Sequence, residues 1–207
     1  MPRPIRIGLT GGLACGKSFV GRALESLGAH LIQADDLGHR TLAQDGEAYW
    51  PVVREFGGEI LEPDGSIHRQ RLAAMVFGDS ERLEKLNGIV HPAVHRLQQA
   101  MEREILAADP TAVIVVEAAI LIEIGSYRNY DRIILVTCDE SQQMERALER
   151  GVGAEDVNAR LSRQLPLETK RKFADYIIDT SGTKEETVRQ TREVWEKLVG
   201  HPRKYGG

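Results

Sequence analysis

The chain has 207 residues, 42% of them hydrophobic and 28% charged, enough to bury a substantial core in one compact unit with inserted subdomains or in two small domains. Its formal net charge of −4 argues against broad electrostatic attraction to nucleic acid or to an anionic membrane. Cys15 and Cys138 are too few for a disulfide framework and lie in no paired metal spacing. No apolar run approaches membrane-spanning length, and Ile5 to Leu9 is too short for a signal-peptide core, so a cytoplasmic protein is expected.

Ile5-Arg6-Ile7-Gly8-Leu9-Thr10 reads as a short apolar strand and Phe19 to Leu27 as an amphipathic helix. Between them, Gly11-Gly12-Leu13-Ala14-Cys15-Gly16-Lys17-Ser18 is a full match to the phosphate-binding loop: two glycines with four residues between them, then lysine and a hydroxyl residue. The glycines let the backbone bend around a phosphate chain and aim successive N–H groups inward, at the positive end of the next helix. Residues Gly12 through Phe19 are therefore the expected ATP contacts: Gly12, Leu13, Ala14, Cys15, Gly16, Lys17, Ser18 and Phe19. Lys17 is expected to reach the β- and γ-phosphates, and the Ser18 hydroxyl to be a ligand of Mg2+. The bland alternative is a glycine-rich turn with a surface lysine. Cys15 is read as a small side chain filling its place, although a helix N-terminus lowers a thiol pKa.

Gly28 is a helix cap and Ala29 to Ile32 a second strand, reached by a βαβ crossover. Gln33-Ala34-Asp35-Asp36 follows it. Ligands of open parallel sheets sit beyond the carboxyl ends of the strands, which places Asp35 for chemistry; the competing reading is a helix N-cap. From residue 36 to 109 the pattern is helix and turn, an inserted helical block. Within it His91-Pro92 is expected to interrupt a helix that begins at Ser80 and to start the next, which runs to about Ala108. His91 and His95 have a spacing that suits one helical face, but no third metal ligand accompanies them.

Ala112 to Val116 is a buried-type strand ending in Glu117, expected beside the loop strand, where an acid holds Mg2+ through water. A strand over Asp131 to Val136, a helix over Asp139 to Arg150, a polar helix over Ala154 to Leu165, a strand at Tyr176-Ile177-Ile178 and a closing helix from Lys184 to Val199 complete the reading. Lys170-Arg171-Lys172 reads as a solvated helical face or an edge of a lid over about 146–165. The expected architecture is a three-layer α/β fold of the phosphate-loop nucleotide-hydrolase type, with about five parallel strands, a helical insertion and a helical lid. Residues 1–35 and 110–207 are its nucleotide-binding core.

A guanine-nucleotide switch is disfavoured, because no Asn-Lys-x-Asp sequence occurs. A small-molecule kinase needs a carboxylate at the acceptor hydroxyl, an acceptor pocket and arginines over the transferred group, and the chain supplies candidates for all three. The order Ile7-Gly8-Leu9-Thr10-Gly11-Gly12, Ala34-Asp35, Leu86-Asn87-Gly88-Ile89-Val90-His91-Pro92, Gln143-Met144-Glu145-Arg146, Gln164 and Ala174-Asp175 resembles the dephospho-coenzyme A kinase family over nearly the whole chain. The resemblance implies ATP-dependent phosphorylation of the ribose 3′-hydroxyl of dephospho-coenzyme A. It also implies Asp35 as base, Lys17 and Ser18 on phosphate and Mg2+, Arg146 on nucleotide phosphate, and Arg71, Asn87 and His91 in the acceptor block. Gln33 and His39 depart from the family's usual aspartate and arginine, Phe19 stands where threonine is common, and Ala119 where a Pro-Leu-Leu segment would begin. The alternatives are a kinase of another nucleoside-like or hydroxyl acceptor, or a nucleotide-binding switch. Nothing in the sequence sets an oligomeric state.

Overall fold

The computed structural model describes residues 3–149, 157 and 164–200. Its sheet has five strands in the order β2-β3-β1-β4-β5: β1 Ile5–Gly11, β2 His30–Gln33, β3 Val113–Glu117, β4 Arg132–Thr137 and β5 Tyr176–Asp179. The pairs β1–β3, β1–β4 and β4–β5 are parallel. This is the expected α/β sheet, with β1 central and β3 beside it. Strands buried on both faces need apolar side chains at successive positions, and β3 and β4 have them in Val113-Ile114-Val115-Val116 and Ile133-Ile134-Leu135-Val136.

Alternation along β1 assigns its faces. Ile5, Ile7 and Leu9 join Val115, Ile134, Val136 and Ile178 in one cluster, closed by Val20 and Leu24 of α1 (Lys17–Ser26) and by Val194 and Leu198 of the C-terminal helix Lys184–Gly200. Gly8 points the other way. A side chain there would meet Ile133, Leu121 and Tyr130, so the absent side chain is what lets the segment after β3 pack against the sheet.

The basic run is divided: Arg171 and Lys172 are exposed, as a solvated face requires, but Lys170 is not. Lys170, in the short helix Leu167–Arg171, is fully buried; its Nζ lies 2.7 Å from Glu123 Oε1 and donates to the Ala119 carbonyl at 3.1 Å. Three consecutive basic residues carry no sign of which one turns inward, and pairing is what makes burial of this one tolerable. Thr10 Oγ1 donates to the same carbonyl and Glu123 Oε1 accepts from the Leu165 amide, so the pair fastens the segment that follows Glu117. Lys170→Ala leaves Glu123 buried without its cation, and a loss of about 3–5 kcal/mol is expected in urea unfolding. Replacing both partners by apolar residues should cost far less; equal losses would show that packing alone holds the segment.

Contacts divide the chain into two units, Met1–Ile32 with Asp109–Gly207, and Gln33–Ala108. The second is helical: α2 Ala34–Thr41, α3 Tyr49–Phe56, α4 Arg69–Val76 and α5 Ser80–Ala108. Its own core joins Tyr49, Val52, Phe56, Ile60, Leu72 and Ala93. Contrary to the expectation at His91-Pro92, α5 runs through Pro92 without a break. Proline removes one hydrogen bond, the one to the carbonyl of residue 88, and that residue is Gly88, with open space around it. Packing along 29 residues of helix outweighs the local preference. The polar helix and most of the lid expected over 146–165, Arg160 and Arg163 among them, lie outside the described residues.

Candidate active site

The loop is held open from behind. A side chain at Gly11 would collide with the Val136 carbonyl, and Gly16 takes φ +81°, a left-handed conformation glycine adopts without cost. Ala14 is left-handed as well, at φ +55°, which for a residue with a side chain stores on the order of 1 kcal/mol or more of strain. Gly16 is the N-cap of α1 and provides no side-chain hydrogen bond, and the first turn has no acidic residue. The positive end of the helix dipole thus faces the loop uncancelled, which suits an anion.

Lys17 Nζ donates to the Gly12 carbonyl at 2.9 Å and to Gly11 at 3.4 Å, holding its ammonium against the rim of the loop. Ser18 Oγ donates to Glu117 Oε1 at 2.7 Å, and Glu117 is buried at the end of β3. Two hard oxygen donors side by side, one in the first turn of α1 and one at the carboxyl end of β3, are the kind of set a small divalent cation requires. The donor set therefore fits magnesium.

Arg146 lies on α6 (Glu140–Glu149) and is bound twice to Thr180, Nη1 to Oγ1 at 3.1 Å and Nη2 to the carbonyl at 2.8 Å. Thr180 Oγ1 is also within donating distance of the Cys15 carbonyl at 2.9 Å and of Thr137 at 3.2 Å. One buried hydroxyl just past β5 therefore joins the loop, β4 and the arginine. The sequence reading missed Thr180; its only signal was its place just after a strand at the sheet's carboxyl edge.

Cys15 and Cys138 touch. Their sulfurs are 3.2 Å apart, both buried, and the Gln143 amide donates to the Cys15 sulfur at 2.9 Å. The Cys138 S–H donating to it, helped by Gln143 and the Lys17 charge, lowers the Cys15 pKa to about 6 against the opposing effect of burial. Cys138 is pushed up, because its proton is the one being donated.

In the helical unit, Asp35 is the second residue of α2 and Gln33 is the N-cap, with no side-chain cap bond. The capping reading of Asp35 is thereby corrected: the helix begins two residues too early for it. Asp35 is exposed, and among the described residues its carboxylate has no recorded partner. His39, one turn along α2, has its Nε2 2.7 Å from Arg69 Nη2 of α4. Arg71, two residues on, instead donates to the Leu61 carbonyl at 2.9 Å and lies 3.7 Å from Glu62. Asn87 and His91 are four residues apart on α5 and so share a face. Among the described residues no cluster of three or more His, Cys, Asp or Glu is arranged to hold a metal.

The sequence model of the family described as dephospho-CoA kinase matches residues 5–186. A dephospho-CoA kinase of Aquifex aeolicus is 41% identical over 95% of this chain and 99% of its own length. Among solved structures, a Thermus thermophilus protein superposes with a TM-score of 0.80 at 32% identity, covering 96% of this chain and 100% of its own. A dephospho-CoA kinase from Campylobacter jejuni does so with 0.70 at 25% identity, covering 95% and 98%.

Proposed function

The chain belongs to the dephospho-coenzyme A kinase family, and from that premise we propose that it transfers the γ-phosphoryl group of ATP to the ribose 3′-hydroxyl of dephospho-coenzyme A, giving coenzyme A and ADP. It is a kinase with a phosphate-binding loop, and its reaction belongs to coenzyme A biosynthesis. The observation that carries the reading is the contact between Ser18 and Glu117 beside a loop whose lysine is already turned to its rim. When bound at Ser18 and Glu117, magnesium would neutralise phosphate charge. Lys17 holds the β- and γ-phosphates, the loop amides receive them, and Arg146, kept in place by Thr180, meets the nucleotide phosphates. Asp35 orients the acceptor hydroxyl and accepts its proton. The reading places the reaction in the cytoplasm, with no nucleic acid or membrane partner.

On the acceptor side, Arg71, Asn87 and His91 belong to the helical unit, and Arg69 joins them. Asp35 and His39 stand one helical turn apart, about 6 Å along the axis, comparable with the span from a ribose 3′-oxygen to the phosphates on its 5′-carbon. With Asp35 at the hydroxyl, the guanidinium hydrogen-bonded to His39 meets the diphosphate. A cavity of about 440 Å³ in the same unit, lined by Arg40, Glu47, Ala93, Arg96 and Leu97 among others, supplies room for the acceptor's arm. Arg69→Ala should raise KM for dephospho-coenzyme A by about tenfold or more, leaving KM for ATP unchanged. An unchanged acceptor KM would remove Arg69 from the site.

The test of the whole reading is coupled detection of ADP with and without dephospho-coenzyme A, followed by identification of a 3′-phosphorylated product. ADP formation that depends on this acceptor is expected. Preferential transfer to a nucleoside monophosphate or to shikimate, or nucleotide binding with no transfer, would overturn it.

A further inference from the structure

The chain has only two cysteines, 123 residues apart in sequence, and folding brings their sulfurs together at the back of the phosphate-binding loop. We infer that Cys15 and Cys138 form a reversible oxidative modification site, whose disulfide draws the loop out of its nucleotide-binding shape. The sulfurs are 3.2 Å apart and must close to about 2.05 Å, a movement of about 1 Å. Cys138 directly follows β4, and the next amide, Asp139 N, donates to Ser181 Oγ at 3.0 Å, so that side is anchored. Cys15 stands between Ala14 and Gly16, both left-handed, in a loop where its amide donates to the Gly12 carbonyl of the loop itself at 3.4 Å, and where its ties to other elements include the Cys15 carbonyl on Thr180 and the Gln143 amide on its sulfur. The loop therefore moves. Its amides must aim at phosphate oxygens, and an error of about 1 Å in such a cradle costs up to about a hundredfold.

The oxidant is a hydroperoxide, with hydrogen peroxide the simplest. The Cys15 thiolate attacks one peroxide oxygen, the O–O bond breaks, and the departing hydroxide takes a proton to become water, leaving a sulfenic acid. The Cys138 sulfur then attacks the Cys15 sulfur. The S–S bond forms as the S–O bond breaks, and the hydroxyl leaves as water with the Cys138 proton. Two thiols and one peroxide become one disulfide and two waters, the sulfurs losing two electrons and the peroxide oxygens gaining them. The low pKa of Cys15 supports its role as attacker, and a dithiol reverses the bond by exchange. Both sulfurs are buried, so reaction proceeds through local opening of the loop, and ATP on the loop slows it.

The experiment treats the reduced full-length chain with hydrogen peroxide, then reads intact mass and the Kd for a fluorescent ATP analogue, before and after dithiothreitol. Nucleotide binding is the readout, so the result stands apart from acceptor identity. Loss of two hydrogens, a rise in Kd of about tenfold or more and recovery with dithiothreitol are expected. Cys138→Ala should bind the analogue like the wild type before treatment, form no cross-link, and carry a sulfenic acid on Cys15 that a dione reagent traps. The inference fails if no cross-link forms in the wild type or if the cross-linked protein keeps its Kd. It fails equally if Cys138→Ala loses affinity to the same extent and recovers in the same way.

Discussion

Lys17→Ala lowers kcat/KM for phosphoryl transfer by about a thousandfold, roughly 4 kcal/mol of transition-state stabilisation. The transferred phosphoryl group spreads its charge over equatorial oxygens, so most of the protein's contribution is positioned positive charge. Lys17 reaches the loop rim from the first position of α1, where its ammonium donates to the Gly11 and Gly12 carbonyls. The substitution also deletes these two bonds, and charged hydrogen bonds contribute about 1.5–3 kcal/mol each at most, so the variant should remain folded with a modestly lower melting temperature. Steady-state rates and calorimetry on the same sample separate the effects. A folded Lys17→Ala protein turning over at the wild-type rate would end the loop assignment. Lys17→Arg is not expected to rescue, because a planar fork does not replace a compact point charge.

Asp35→Asn is the second large effect, a fall in kcat of about a hundredfold or more, the usual worth of a positioned general base. Stability should hardly change. The side chain is exposed, and among the described residues it has no recorded partner, so only the interaction of its charge with the first turn of α2 is lost, a few tenths of a kcal/mol. Asp36→Asn is the matched control: the neighbouring carboxylate is equally exposed, lies in the same turn and should keep the wild-type rate. If Asp35→Asn retains full turnover, proton transfer to this carboxylate is ruled out. If Asp36→Asn loses as much, the effect belongs to the charge of the helix start.

The features legible before folding are those whose cause is local. The loop announces itself because phosphate binding constrains consecutive backbone units, leaving glycine at 11 and 16 and a lysine and a hydroxyl directly after. The continuous apolar runs of β3 and β4 announce strands covered on both faces, and the structure confirms a five-stranded α/β sheet. Glu117 was legible for the same reason, as an acid at the end of a buried strand, and it lies 2.7 Å from Ser18 Oγ. Pro92 was misread because a local rule for proline was applied where the neighbours along α5 decide.

What the amino-acid order determined by itself is a phosphate-binding-loop motif, an acid at the end of a buried strand, a pair of carboxylates after the second strand and a family-specific order of motifs. Which groups meet was decided only in three dimensions. Lys170 on Glu123, Arg69 on His39, Thr180 under Arg146 and Cys15 against Cys138 are all pairings across at least 30 residues of chain. Spacing along a helix or strand specifies which side chains share a face, because backbone geometry repeats every few residues. It carries no information about which distant face arrives opposite, since that depends on the packing of the whole unit.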